Sequence, residues 1–232
     1  MSPGNGKPER VVALDPLEVE PDPAEISRYL GYPAGATADA GVRERVLRAI
    51  EDSRGKLRPR GIYALHRVAS QDRRSLTLAG GATFTGPIGE FLGGARRVAV
   101  FVATAGPEVV RMTEEAFGSR DTLGGLIYNA LGSQVAEAAV ERILDDLRGQ
   151  AGPQEALTLR YSPGYCGISL EQQRTVFRLV EAQRVGVVLL PTLIMKPVKS
   201  VSGLVGVGPR EAVAAYGNPC DRCPLPDCRM RR

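Results

Sequence analysis

The chain has 232 residues, 43% apolar and 24% charged, which suits a globular protein of one domain and argues against disorder. Thirty basic residues against 26 acidic leave a net charge of +4, too small an excess to indicate a nucleic-acid partner; with no tryptophan and 5% aromatics, platforms for stacked bases are also few. The single histidine, His66, excludes HExxH sites, three-histidine zinc sites and two-histidine facial triads.

Residues 1–9 read as a polar tail rich in Gly and Pro, unlike a signal peptide. Val11 to Val19 alternates as a strand. Asp22 then caps a short helix, 24–30, that Gly31 ends. A second helix is expected from about Ala38 to Arg54, with Val42, Val46, Leu47 and Ile50 on its apolar face. Strands follow at 62–68, 75–79 and 97–104; the last is a nearly continuous apolar run, hence central and buried. A helix starts at Pro107 after the Ala105-Gly106 junction; such a junction can hold an anion on free backbone N–H groups, but the plainer reading is a turn.

The longest helix is expected over 122–147, with a core stripe of Leu123, Leu126, Ile127, Val135, Ala139 and Ile143. Gly124, Gly125, Gly132 and Ser133 along it imply close approach by a neighbour. A strand at 157–161 precedes a helix at 170–180, with Ser169 as cap and Gln172 at the capping-box position. Further strands are expected at 187–190, 193–195 and 201–207. The longest apolar stretch, Val185 to Met195, is interrupted by Gly186 and Pro191 and is far short of the roughly 20 residues of a membrane span. A soluble, cytoplasmic protein with no membrane partner is therefore expected.

Strands and helices mix without a regular βαβ rhythm. The expected fold is α+β with an antiparallel or mixed sheet, divided as a tail (1–9), one domain (10–218) and a cysteine-rich tail (219–232).

Four segments carry chemistry. Arg160-Tyr-Ser-Pro-Gly164-Tyr165-Cys166-Gly167 is a turn after a strand. Its Arg can clamp a carboxylate with parallel N–H bonds, and a Tyr face can hold an organic cation; by pattern alone the plainer reading is a structural turn with a surface Arg. Lys196-Pro-Val-Lys199-Ser200-Val-Ser202-Gly203 places two lysines and two hydroxyls before an apolar strand; the plainer reading is a solvated loop. Cys220, Cys223 and Cys228 form a C-x2-C-x4-C cluster that suits zinc or an iron–sulfur centre. Cys166, the only other cysteine, is the candidate fourth ligand, and free thiols or a redox pair are the alternatives. Glu137 shares a helix face with Gln134 and Glu141, away from the core stripe, and by pattern alone that face is solvated.

Together these segments resemble a known family. Arg160-Tyr-Ser-Pro-Gly-Tyr-Cys-Gly, Glu171-Gln172-Gln173 and Met195-Lys-Pro-Val-Lys-Ser-Val-Ser-Gly203 are similar to the adenosylmethionine-binding activation domain of cobalamin-dependent methionine synthase. The likeness is closer to its short stand-alone relatives, which also carry an Arg-Tyr-Leu-Gly-Tyr segment, here Arg28 to Tyr32, and a Cys-rich end. The resemblance spans roughly residues 10–230. The enzyme-fused form has Pro where Tyr161 stands and lacks the three-cysteine tail.

The resemblance implies an S-adenosylmethionine site. Arg160 would hold the methionyl part, Tyr165 beside Gly164 would lie near the sulfonium, and Glu137 of Ala136-Glu137-Ala138 would contact the ligand. An acidic residue near the start would join them, Asp22 or equally Glu20. It also implies reductive reactivation of cob(II)alamin carried by a separate methionine synthase or corrinoid protein, with a flavodoxin or ferredoxin as electron donor, in methionine biosynthesis. No general acid or base is required, so no catalytic residue is expected. One alternative is an iron–sulfur or zinc accessory module of a corrinoid methyltransferase system without adenosylmethionine binding. The other, an ordinary adenosylmethionine methyltransferase, would carry a Gly-rich loop after its first strand, and this sequence has none.

Overall fold

The structure is a computed structural model and describes residues 7–33 and 35–214. In chain order the elements are β1 (Arg10–Leu14), α1 (Pro23–Tyr29), α2 (Ala40–Ser53), β2 (Arg60–Gln71), β3 (Ser75–Leu78), β4 (Thr83–Thr85), α3 (Ile88–Phe91), β5 (Arg97–Thr104), α4 (Glu108–Gly118) and α5 (Thr122–Gln150). They continue with β6 (Glu155–Tyr161), α6 (Gln173–Leu179), β7 (Val188–Leu189), β8 (Met195–Lys196), β9 (Ser200–Pro209) and α7 (Arg210–Ala214).

Every strand pairing is antiparallel, which settles the sheet type left open by the sequence. The main sheet runs β4-β3-β2-β5-β9-β6, and β1 joins β2 beside that path; β7 and β8 form a separate hairpin. Strand β2 is long enough to seat two partners along one edge. Its first half pairs with β1 and its last residues with β3, while β5 takes the other edge.

Strand β5 is apolar from Val98 to Ala103, and both its faces are covered. Val98, Val100 and Val102 enter one cluster with Ile62, Ala64 and Leu204. Ala99, Phe101 and Ala103 enter another, against Ala139, Val140, Ile143 and Leu147 of α5. Each fully buried side chain of this kind contributes roughly 1.5–3 kcal/mol. The N-terminal half of α5 leaves the sheet and builds a third cluster with α1, α2 and α4, including Ile26, Val46, Val109, Ile127 and Leu131. One helix thus joins the sheet to a helical layer, and the site lies at that junction.

The Gly203, Gly206 and Gly208 series belongs to β9, squeezed between β5 and β6. A Cβ at Gly203 would sit 2.6 Å from the Tyr161 carbonyl oxygen and 2.7 Å from the Phe101 ring; one at Gly206 would lie 2.8 Å from Ala95 Cβ. These glycines admit neighbouring backbone and rings.

Several expectations need correction. The first strand stops at Leu14 rather than Val19, because Pro16 has no N–H to give to the ladder. The 170–180 helix begins as a 3₁₀ turn, Leu170–Gln172, and becomes α-helical only at Gln173. Ser169 caps it as expected, but Gln172 makes no capping box. Its amide oxygen instead accepts from Thr85 N at 2.9 Å and its amide nitrogen donates to Thr85 O, fixing the turn to β4. Leu47 and Leu126 are exposed, on the outer edges of the stripes assigned to α2 and α5. The helix α3 and strand β4, too short to show periodicity, were not expected.

Candidate functional site

Among the described residues a cleft of about 570 Å³ lies between the β1–α1 connection, α1 and the middle of α5. That volume is within the range of small-molecule sites, roughly 300–1,000 Å³. From α5 come Gln134, Glu137, Ala138, Glu141 and Arg142, spaced at three and four residues and therefore on one helix face. From the N-terminal side come Glu18, Val19, Glu20, Glu25 and Tyr29. Arg160, near the end of β6, closes the floor.

Arg160 and Glu137, 23 residues apart in sequence, meet here. The Arg160 Nη2 donates to Glu137 Oε2, and Arg160 Nε lies 3.8 Å from Glu141 Oε1. The side chains are only 19% and 27% exposed, so water screens the pair less than a surface ion pair. Nη1 of Arg160 makes no hydrogen bond among the described residues and retains two N–H donors. Five glutamates line the cleft against Arg142 and Arg160. Glu25 is paired with Arg28 and Glu137 with Arg160, so a ligand's positive charge would meet chiefly Glu18 and Glu20, while Arg160 offers one anchor for a negative group.

Asp22 has another role. Its Oδ1 accepts from Ala24 N at 2.8 Å and Glu25 N at 3.4 Å, capping α1, and the residue is not part of the lining. Glu20, the alternative weighed from the sequence, is. Gly164 and Tyr165 lie on the turn after β6 and do not line the cleft. Gly164 N donates to Ile168 O at 2.8 Å and Ile168 N to Tyr165 O at 2.9 Å, closing the turn on itself. Gly164 (φ +89°) and Gly167 (φ +78°) have left-handed backbones that glycine adopts without a steric cost. Tyr165 is 63% exposed, and Cys166 beside it is exposed too. The other candidate ligands, Cys220, Cys223 and Cys228, lie outside the described residues. Among the described residues no group of three His, Cys, Asp or Glu side chains is gathered for a metal ion.

The remaining segments are accounted for structurally. Ser200 Oγ donates to Pro197 O at 2.7 Å and bonds Thr104 Oγ1 at 2.9 Å. Lys199 Nζ donates to Ser133 Oγ at 2.8 Å, and burial pushes its pKa below the ordinary lysine value. At the Ala105-Gly106 junction the Glu108 carboxylate folds back over Gly106, so an anion is disfavoured there. His66 is buried in β2, with its pKa lowered by burial.

A family model described as "Vitamin B12 dependent methionine synthase, activation domain" matches residues 89–217, more than half of the chain. The chain belongs to that family. The match includes Glu137, Arg160, Gly164 and Tyr165. Among solved structures, this activation domain is similar to one titled "Crystal Structure of the MetH Reactivation Domain bound to AdoHcy". The TM-score is 0.67 at 16% identity, over 91% of this chain and 86% of that one. The shared fold is α+β with an antiparallel sheet. No curated protein matches the sequence. Among the described residues no helix is long and apolar enough to cross a membrane.

Sequence reasoning missed Glu18, Glu25, Tyr29 and Arg142. Tyr29 falls within the Arg28-to-Tyr32 segment that carried the resemblance. Arg142 continues the spacing of Gln134, Glu137, Ala138 and Glu141. The signal was present, but one helix face alone does not show what it opposes.

Proposed function

We propose that this activation domain binds S-adenosylmethionine in the acidic cleft and serves, in trans, the reductive methylation of cob(II)alamin held by a separate corrinoid protein. The observation that carries the reading is the Glu137–Arg160 pair set inside a cleft rich in carboxylates. The ligand's sulfonium and ammonium would meet the glutamates, and its carboxylate would meet Nη1 of Arg160. The solved relative's title names AdoHcy, the demethylated form of the same ligand.

In the reaction one electron and one methyl group convert cob(II)alamin to methylcobalamin, and S-adenosylhomocysteine leaves. The electron comes from an external donor of the flavodoxin or ferredoxin class. The task of this chain is placement. The cleft fixes the methionyl end, so the S–CH₃ bond is held in one direction for in-line transfer. Tyr165, exposed on the turn beyond Arg160, would lie on the side from which the partner approaches. No side chain needs to move a proton. For the tail cysteines, a metal or cluster role rests on their spacing alone.

The test is calorimetric titration of S-adenosylmethionine into anaerobically purified protein, with ATP as control. Saturable binding with one site, absent for ATP, is expected. No heat with either compound, from a protein shown to be folded, overturns the reading.

A further inference from the structure

The ion pairs of the cleft leave two carboxylates over. Glu25 holds Arg28 at 2.8 Å, Glu137 holds Arg160, and Glu141 lies 3.8 Å from both Arg148 and Arg160. On the cationic side, Arg142 reaches Asp145 at 3.7 Å. Glu18 and Glu20 make no ion pair or side-chain hydrogen bond among the described residues. They sit on either side of Val19, which is held by the core clusters on both sides of it, while both carboxylates are exposed and line the cleft. The pull of the cleft on a cation therefore comes from these two residues.

We infer that Glu18 and Glu20 discriminate the methyl donor from its demethylated product by charge. This rests on the cleft being the adenosylmethionine site. Both compounds carry the same ammonium, carboxylate and adenosyl groups. They differ at the sulfur, a sulfonium cation before transfer and a neutral thioether after it, because the sulfur keeps the bonding pair when the methyl group leaves. Two unpaired carboxylates attract the first and find no charge to meet in the second. At an exposed wall each contact is modest, yet the two together separate the affinities about fivefold. The product is thereby the weaker ligand and gives way to fresh S-adenosylmethionine.

The experiment titrates wild type and the double variant Glu18→Gln, Glu20→Gln with S-adenosylmethionine and with S-adenosylhomocysteine, at about 0.05 M and about 0.5 M salt. Neither carboxylate is tied to another group, so the variant is expected to keep the thermal midpoint of wild type. Its preference for S-adenosylmethionine over S-adenosylhomocysteine should fall about fivefold, through weaker binding of the first and unchanged binding of the second. High salt should lower the preference of wild type in the same way and leave that of the variant alone, because exposed charges are screened. A fall below threefold in the variant overturns the inference while the adenosylmethionine reading stands. So does equal weakening of both ligands, which would place the carboxylates at the ammonium that the two share. Failure of wild type to bind either ligand overturns that reading first and this inference with it.

Discussion

Replacing Arg160 by alanine is the sharpest perturbation of the site. In the structure Nη2 of Arg160 is taken by Glu137, and Nη1 keeps two N–H groups for a ligand carboxylate. A charge-assisted hydrogen bond contributes roughly 1.5–3 kcal/mol, which is about a ten- to 150-fold change in affinity. Arg160→Ala should therefore weaken S-adenosylmethionine binding at least tenfold. The same change leaves Glu137 and Glu141 together in a cleft with three other glutamates. For a partly buried pair that loss is about 1–2 kcal/mol of stability, lowering the thermal midpoint by roughly 2–8 °C for a domain of this size. Calorimetry well below the new midpoint separates the two effects. Arg160→Lys retains the charge without the fork and should fall between wild type and alanine. Affinity within threefold of wild type, in a folded Arg160→Ala protein, would refute the assignment of Arg160 to the ligand.

Three further outcomes are expected. Tyr165→Ala should leave both the thermal midpoint and S-adenosylmethionine affinity within about twofold of wild type, since the ring is exposed and stands outside the cleft; a tenfold loss would bring the turn's ring onto the ligand's sulfonium. Burial holds the His66 pKa below its ordinary value, against the opposing effects of a hydrogen bond to the Leu179 backbone and the Glu9 charge. The unfolded chain therefore takes up this proton first, so the stability due to His66 is full above about pH 6.5 and is lost as pH falls through the lower folded-state value. Urea midpoints at pH 7.5 and 5.5 should differ less in His66→Gln than in wild type, and an equal difference in both would sink the argument. Gly203→Ala drives a methyl group against the Tyr161 carbonyl and the Phe101 ring, and should cost about 1–3 kcal/mol by urea unfolding; an unchanged midpoint would mean that β9 and β6 separate freely.

Much of this protein was legible along the chain where local rules and burial agree. Strand β5 reads as buried because no residue from Val98 to Ala103 is polar, and both its faces are covered. Asp22 caps α1 because its carboxylate reaches two orphan N–H groups within three residues. Boundaries failed where the deciding contact is distant: Gln172 looked like a capping residue, but its amide is taken by Thr85, 87 residues away.

The site divides the same way. The sequence by itself determined the turn after β6, where Gly164 and Gly167 take left-handed backbones on either side of a left-handed Cys166, and it supplied Arg160 and Glu137 as residue types suited to a zwitterionic cation. It also determined that α5 would carry Gln134, Glu137 and Glu141 on one face. Only the tertiary structure decided that this face is a cleft wall rather than a solvated surface. Periodicity fixes the direction in which a side chain leaves its helix, but not what stands opposite. That was decided when α1 packed on α5 through Ile26 and brought Glu20, Glu25 and Tyr29 over Glu137.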